Sequence, residues 1–275
     1  MVARWLRDYQ RTIAAHELLL TGGRCAPTKK LGGLASLERR GVVVLSLHYG
    51  PFYYVPLELG YLRGSVDVIM GSFQRSKSPM WDHLPPRAGA ELRCLAAESP
   101  NSLLAARRGL REGRSLVIYL DGEIGAQADA AEGRTVRVDF LSLPLELRVG
   151  GLLLARRAGV PIVLALASHG RFGRREIEYS PAIEPPANDD DEAVGACMRS
   201  IVAWFEERVR ARPEQWLGWA TPTVCWAEVG AAPRVSVDAW HERRREVQRM
   251  LSTPPARRRS PRSPTSRTRS PPSTS

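Results

Sequence analysis

The chain has 275 residues and a mass of 30.5 kDa, with 43% hydrophobic and 25% charged residues, a globular composition that excludes collagen-like, wholly disordered and disulfide-framework proteins. Cys25, Cys94, Cys197 and Cys225 stand far apart with no C-x-x-C pair, so neither a zinc site nor a redox pair is expected, and a reducing compartment fits best. Of the formal net charge of +11, six positive charges come from arginines in residues 253–275, which carry no acid, leaving a mildly basic +5 on residues 1–252. Such a body suits an anionic substrate or an anionic membrane surface.

The elements follow in chain order. Trp5, Leu6, Tyr9, Ile13 and Leu20 fall near helical spacing and predict an amphipathic N-terminal helix, which either caps the core or lies on a membrane with Trp5 at the interface. A Gly/Pro/Lys loop over Gly22–Lys30 comes next. Gly41–Leu47 (GVVVLSL) is a β-branched run of the kind that forms a strand buried on both faces. A short helix is expected from Pro51, then strands at Val66–Met70, Glu91–Leu95 and Ser115–Leu120. Asn101–Glu112 has helical spacing, with Asn101 or Ser102 as cap and Gly113 as stop. Further on, the pattern predicts a half-exposed strand at Thr135–Phe140, a helix at Leu145–Arg157, a buried strand at Pro161–Ala167 and an alternating edge strand at Arg175–Tyr179. Asp189–Arg212 predicts a long helix with acids at its N-terminal end, where the macrodipole favours them. A last helix is expected over Asp238–Leu251.

Strands alternating with helices imply an α/β domain with a largely parallel central sheet flanked by helices, here over residues 1–252. The Pro/Ser/Thr/Arg tail 253–275 cannot bury a core and is expected to be disordered. No run of about 18 apolar residues and no signal-like start is seen, so a spanning or secreted protein is not expected.

Among five histidines, His48 has the most informative setting. It follows the buried strand Gly41–Leu47 and precedes Gly50-Pro51, a plausible helix start, and ligands of open α/β sheets collect beyond the carboxyl ends of the strands. Nearby helix N-termini favour a neutral imidazole, the form a general base needs. Asp121 and Glu123 occupy a second strand end, Leu120-Asp121-Gly122-Glu123-Ile124-Gly125, where two carboxylates project close to the place expected for His48. The loop Ser72–Arg87 carries Arg75, Lys77 and Arg87, which can hold a phosphate through charge-assisted bonds. Each feature also has an ordinary structural reading, as a core histidine, a solvated turn or a surface loop.

Their order resembles the bacterial late acyltransferases of lipid A biosynthesis and the related mannoside acyltransferases, within the wider lysophospholipid acyltransferase superfamily. The resemblance spans roughly residues 1–222. The family's H-x-G-N-W-E segment resembles His48-Tyr49-Gly50-Pro51-Phe52-Tyr53, and its arginine-bearing segment resembles Leu84-Pro85-Pro86-Arg87-Ala88-Gly89. The L-x-x-G-x-x-V and D-x-x-x-G elements are similar to Leu110–Gly125, with Asp121 at the acid. The stretch Phe140–Val163 is similar to the family's F-x-G-x-P to G-x-P-I-V region, and Pro213-Glu214-Gln215-Trp216-Leu217-Gly218-Trp219 matches its P-E-Q-W-x-W ending.

The resemblance implies a glycerol-phosphate/lysophospholipid acyltransferase-like fold. It also implies transfer of a fatty acyl group from acyl carrier protein or coenzyme A to a hydroxyl or amine of a lipid, glycolipid or secondary metabolite. His48 would be the base, backbone amides the oxyanion donors, and Arg87 an anion contact, with Arg75 and Glu123 as further substrate contacts. No cofactor beyond the acyl thioester co-substrate is implied. Peripheral association with the cytoplasmic face of the inner membrane is expected.

One departure is chemical: Tyr53 stands where the family has Asp or Glu. A phenol can accept a hydrogen bond from the imidazole but supplies no full charge, so Asp121 or Glu123, with Asp121 the better candidate, is expected to support the base from the facing loop, and Tyr53→Glu is expected to keep or raise activity if the geometry permits the dyad. The same departure motivates an alternative, a non-catalytic lipid- or carrier-binding descendant of the fold. A nucleic-acid-binding role driven by the arginine tail has no recognition module beside it and is not expected. Trp216 is expected to be a buried structural aromatic.

Overall fold

The computed structural model describes residues 4, 7–12, 14, 29–38, 41–71, 91–97, 99–122, 134–170 and 174–220. The chain divides into two units, Met1–Ala232 and Pro233–Ser275. All described residues belong to the first, so the predicted helix Asp238–Leu251 and the tail lie outside them.

Among the described residues there are nine strands: β1 (Lys29–Leu31), β2 (Val42–Ser46), β3 (Ser65–Met70), β4 (Glu91–Ala96), β5 (Ser115–Tyr119), β6 (Thr135–Phe140), β7 (Leu143–Arg148), β8 (Ile162–His169) and β9 (Arg175–Tyr179). The α-helices between and after them are α1 (Tyr54–Arg63), α2 (Pro100–Arg111), α3 (Gly150–Ala158) and α4 (Asp191–Ala211), and residues 7–12 are helical as well. Seven strands form one sheet in the order β1-β9-β8-β2-β5-β3-β4, in which only the β8–β9 pairing is antiparallel. This is the expected α/β layout. The chain fills one side of β2 with β5, β3 and β4 before it crosses to β8 and β9 on the other, and such a reversal opens a crevice at the carboxyl ends of the central strands.

Val42, Val43, Val44 and Leu45 are wholly buried, as a strand covered on both faces requires. Val43 and Leu45 join the cluster under α3 and α4, whereas Val42 and Val44 join the one under α1. Period-two alternation sends neighbours to opposite layers. Helix α4 buries Val194, Met198, Ile201, Val202, Phe205 and Val209, a helical-period stripe. Its start is fixed by Asp190, whose carboxylate accepts the Ala193 N–H at 2.7 Å, a cap worth about 1 kcal/mol.

Three expectations need correction. The predicted helix Leu145–Arg157 is two elements: β7 pairs antiparallel with β6, and α3 begins only at Gly150. The turn between β6 and β7 places Leu141 (φ 55°) and Ser142 (φ 66°) in the left-handed region, as a tight primed turn demands. Leu-Ser carries none of the Asn-Gly chemistry that normally announces such a turn, so the hairpin was hidden. The predicted edge strand Arg175–Tyr179 is not an edge, because Lys29–Leu31, which overlaps the end of the expected loop Gly22–Lys30, pairs beside it in parallel. Helix α2 is capped by Ser99, with Pro100 in its first turn, two to three residues before the expected caps Asn101 and Ser102.

Two polar clusters anchor the periphery. The buried Asp67 carboxylate of β3 accepts from Arg93 of β4 (2.7 and 3.0 Å) and from Arg114 ahead of β5 (2.8 Å), and Arg114 also reaches Glu91 at 2.6 Å. These bonds tie three neighbouring strands at their amino ends. On the other flank, the Thr12 hydroxyl donates to the Asp8 carbonyl at 3.0 Å and lies 3.1 Å from the His169 Nε2. Burial, then the charges of Arg11 and Arg175, push the His169 pKa down to about 4.

We predict that Asp67→Ala lowers the urea unfolding free energy by about 3 kcal/mol, the low end for breaking a buried pair because Arg93 stays partly solvated. A parental midpoint would show that the cluster is dispensable. His169 gives a second expectation. Above its ordinary value of 6.5 it is neutral in both folded and unfolded chains, and between 6.5 and about 4 only the unfolded chain takes up the proton. Stability should therefore fall by about 1.4 kcal/mol per unit of acidification across that window, roughly 3 kcal/mol in all, and the loss should stop below it. His169→Gln should flatten this segment of the stability–pH curve; an unchanged slope would assign it to other groups.

Candidate active site

The site is assembled by strand register. Ser46 pairs with Tyr119 across β2 and β5, and the Leu120 N–H donates to the Ser46 carbonyl at 2.9 Å. Two residues beyond that pair, His48 and Asp121 come to lie opposite each other at the carboxyl edge. The imidazole Nδ1 stands 2.9 Å from Asp121 Oδ1, and the His48 backbone N–H donates to both carboxylate oxygens, at 2.9 and 3.0 Å. The Trp216 indole Nε1–H donates to Oδ2 at 2.9 Å.

The Asp121 side chain is 4% exposed, against 32% for His48. Burial alone would raise the carboxyl pKa, but the His48 charge and the hydrogen bonds from His48 and Trp216 outweigh it and hold Asp121 below the usual carboxylate range. The acid is therefore ionised near neutral pH and accepts from Nδ1–H. That tautomer leaves Nε2 to carry the lone pair. The ring is bracketed by Tyr119, stacked at 4.7 Å, and by Phe52, edge-on at 4.7 Å, while the Tyr119 hydroxyl donates to the Phe52 carbonyl at 2.9 Å.

Beyond His48 the chain turns sharply. Gly50 has φ 49°, and a Cβ there would stand 2.7 Å from the Ala167 carbonyl oxygen, so only glycine fits between β8 and the 213–217 segment. The Gly50 N–H donates to the Gln215 carbonyl and the Leu217 N–H to the His48 carbonyl, both at 2.8 Å. The Gln215 side chain clamps the end of β8, accepting the His169 N–H at 2.8 Å and donating to its carbonyl at 3.0 Å.

Tyr53 does not take part in this arrangement. It precedes α1, is 2% exposed, and packs into the layer beneath α1 with Tyr54 and Val55, whereas Asp121 faces the other layer through Trp216. Its hydroxyl donates to the Thr12 carbonyl at 2.7 Å. The imidazole N–H that a phenol might have accepted is held by Asp121 instead. The geometry on which the expectation for Tyr53→Glu depends is not the one seen: a carboxylate placed where the Tyr53 hydroxyl lies would be buried against the Thr12 carbonyl, acceptor against acceptor.

Arg75, Arg87 and Glu123 lie outside the described residues. No group of three or more His, Cys, Asp or Glu side chains with metal-binding geometry is present among the described residues. What sequence reasoning missed is the polar half of Trp216, expected only as packing, and the two aromatic walls of the imidazole. Tyr119, the last residue of β5, packs in the layer beneath α1 and stacks on the imidazole from there.

Comparison with curated proteins gave no match. Among solved structures, the chain is similar to the 1-acyl-sn-glycerophosphate (LPA) acyltransferase PlsC from Thermotoga maritima, with 15% sequence identity over 76% of this chain and 81% of that chain and a TM-score of 0.38. The family model described as bacterial lipid A biosynthesis acyltransferase matches residues 35–220, a span that runs from before β2 to beyond Trp216 and takes in most of the chain. On that match the chain belongs to the bacterial lipid A biosynthesis acyltransferase family, and it is an acyltransferase.

Proposed function

We propose that His48 is the general base of acyl transfer from a thioester of acyl carrier protein or coenzyme A to a hydroxyl or amine of a lipid, glycolipid or secondary metabolite. One observation carries this reading: the 2.9 Å contact of Nδ1 with a buried, ionised Asp121, which directs Nε2 away from the acid. In this scheme Nε2 accepts the proton of the acceptor group as its oxygen or nitrogen attacks the thioester carbonyl. The tetrahedral adduct then collapses, the C–S bond breaks, and the imidazolium returns its proton to the departing thiolate. Asp121 stabilises the imidazolium in between. Base catalysis of this kind contributes on the order of 10²–10⁴ in rate.

The Asp121 carboxylate supports this reading over a non-catalytic descendant, because it offers beside His48 the charge that Tyr53 does not supply. Peripheral binding at the cytoplasmic face of the inner membrane belongs to the same reading. It is supported by the basic balance of residues 1–252, by the arginine-rich tail 253–275, and by exposed Leu103 and Leu104 on α2, which also bears Arg107, Arg108 and Arg111. Among the described residues no helix is long and apolar enough to cross a membrane. Residues 1–252 would then be the catalytic body and the tail an electrostatic appendage.

The full chain, supplied with acyl-carrier and CoA thioesters, provides the test. We predict that His48→Ala lowers turnover by at least about 10²-fold with the fold retained, that Asp121→Asn lowers it by a comparable factor, and that Tyr53→Phe leaves it near the parental rate. Tyr53→Glu should lower the melting temperature instead of raising activity. If Tyr53→Phe silences the enzyme while Asp121→Asn does not, Asp121 is not the partner of the base.

A further inference from the structure

We propose that Trp216 is a positioning residue of acyl transfer, its indole N–H holding the Asp121 carboxylate in the plane and charge state that His48 requires. The proposal rests on the reading of His48 as base. Three features of the site carry it.

First, the carboxylate has few donors to spare. Oδ1 accepts from the His48 N–H and Nδ1–H, at 2.9 Å each, whereas Oδ2 accepts from Trp216 at 2.9 Å and shares the same His48 N–H at 3.0 Å. Without the indole, Oδ2 keeps only that shared bond in a place 4% exposed, and the carboxylate is free to rotate about its own axis.

Second, the segment bearing Trp216 also holds His48. The Leu217 N–H donates to the His48 carbonyl and the Gln215 carbonyl accepts the Gly50 N–H, both at 2.8 Å. One short stretch of chain thus fixes the base through its backbone and the acid through its side chain, so the distance between them is set by a single rigid piece.

Third, the indole is locked in orientation. It is 2% exposed and meets Phe140 edge-on at 5.2 Å. A Cβ at Gly218 would stand 2.2 Å from the indole ring carbons and 2.7 Å from Nε1, so the glycine that follows leaves the space in which the ring lies. Packing alone would be satisfied by any large apolar side chain; the aim of the N–H at Oδ2 would not.

The indole has two effects on the pair. It fixes the carboxylate so that Oδ1 stays on Nδ1, and it takes up part of the negative charge that would otherwise fall on the imidazolium. Removing the N–H while keeping the bulk should therefore strengthen the attraction for the imidazolium, raising the pKa of His48, and loosen its alignment, lowering turnover.

The experiment is a ¹⁵N NMR titration of the His48 imidazole in the full chain, beside the pH–rate profile. It compares the parent with Trp216→Phe and with a chain carrying benzothienylalanine at 216, which replaces the indole N–H by sulfur in nearly the same shape. The His48 pKa is expected to rise by about half a unit to one unit in both, with the acid limb of the rate profile moving equally and turnover reduced at the plateau. Gly218→Ala, which displaces the ring, should move the titration in the same direction. A folded benzothienylalanine chain with the parental His48 titration would overturn the proposal and leave Trp216 as packing. Failure of the base assignment reads out separately, as turnover indifferent to His48→Ala whatever the titration does, and it would remove the foundation of the proposal.

Discussion

Burying the Asp121 carboxylate sets the terms for the structure around it. An ionised carboxylate taken out of water costs several kcal/mol unless hydrogen bonds replace its hydration. Here the replacements come from two directions: the strand end that follows β2 supplies a backbone N–H and an imidazole N–H, and the segment after α4 supplies an indole N–H. Neither source exists until the sheet has formed and α4 has returned the chain to its carboxyl edge. The site is accordingly a property of the folded unit and not of any one segment.

That dependence explains the packing around Trp216. The β6–β7 hairpin contributes Phe140, Leu145 and Leu147, and α4 contributes Val202 and Phe205, to the apolar layer that surrounds the indole and walls off Asp121 from water. The left-handed residues Leu141 and Ser142 are strained for ordinary side chains, and they are tolerated because the turn folds β7 back beside β6 with Leu145 and Leu147 buried. Low water content strengthens each charge–dipole interaction at the pair. The imidazole, by contrast, is one-third exposed and flanked by aromatic rings, so part of its edge stays open to solvent.

Position 53 shows the converse. The acid that the family places five residues after its histidine is absent, and the side chain found there ties the N-terminal helical segment to the core through the Thr12 carbonyl, beside a buried His169 held neutral. Two functions that one stretch of sequence would suggest for Tyr53, partner to the base or structural anchor, are separated by the layer it occupies. Its ring belongs to the cluster beneath α1, and Asp121 is bonded to a residue of the other cluster.

The amino-acid sequence by itself determined the α/β class, the positions of β2, β5 and β8, the long helix α4, and the candidacy of His48 and Asp121. These follow from local patterning: continuous β-branched runs, a helical-period stripe capped by acids, and polar residues placed just beyond buried strands. Strand pairing was not local, so it was not legible. Nothing in Lys29–Leu31 marks it as the strand beside β9, and Leu-Ser at 141–142 does not announce a primed turn. The polar role of Trp216 was hidden for the same reason, since its acceptor lies 95 residues away in sequence and is brought to it by the sheet and by the return of α4. Tertiary structure also separated Tyr53 from Asp121: Tyr53 stands five residues after His48 yet its hydroxyl goes to the Thr12 carbonyl, whereas Asp121, 73 residues away in sequence, is brought to the imidazole by the pairing of β2 with β5.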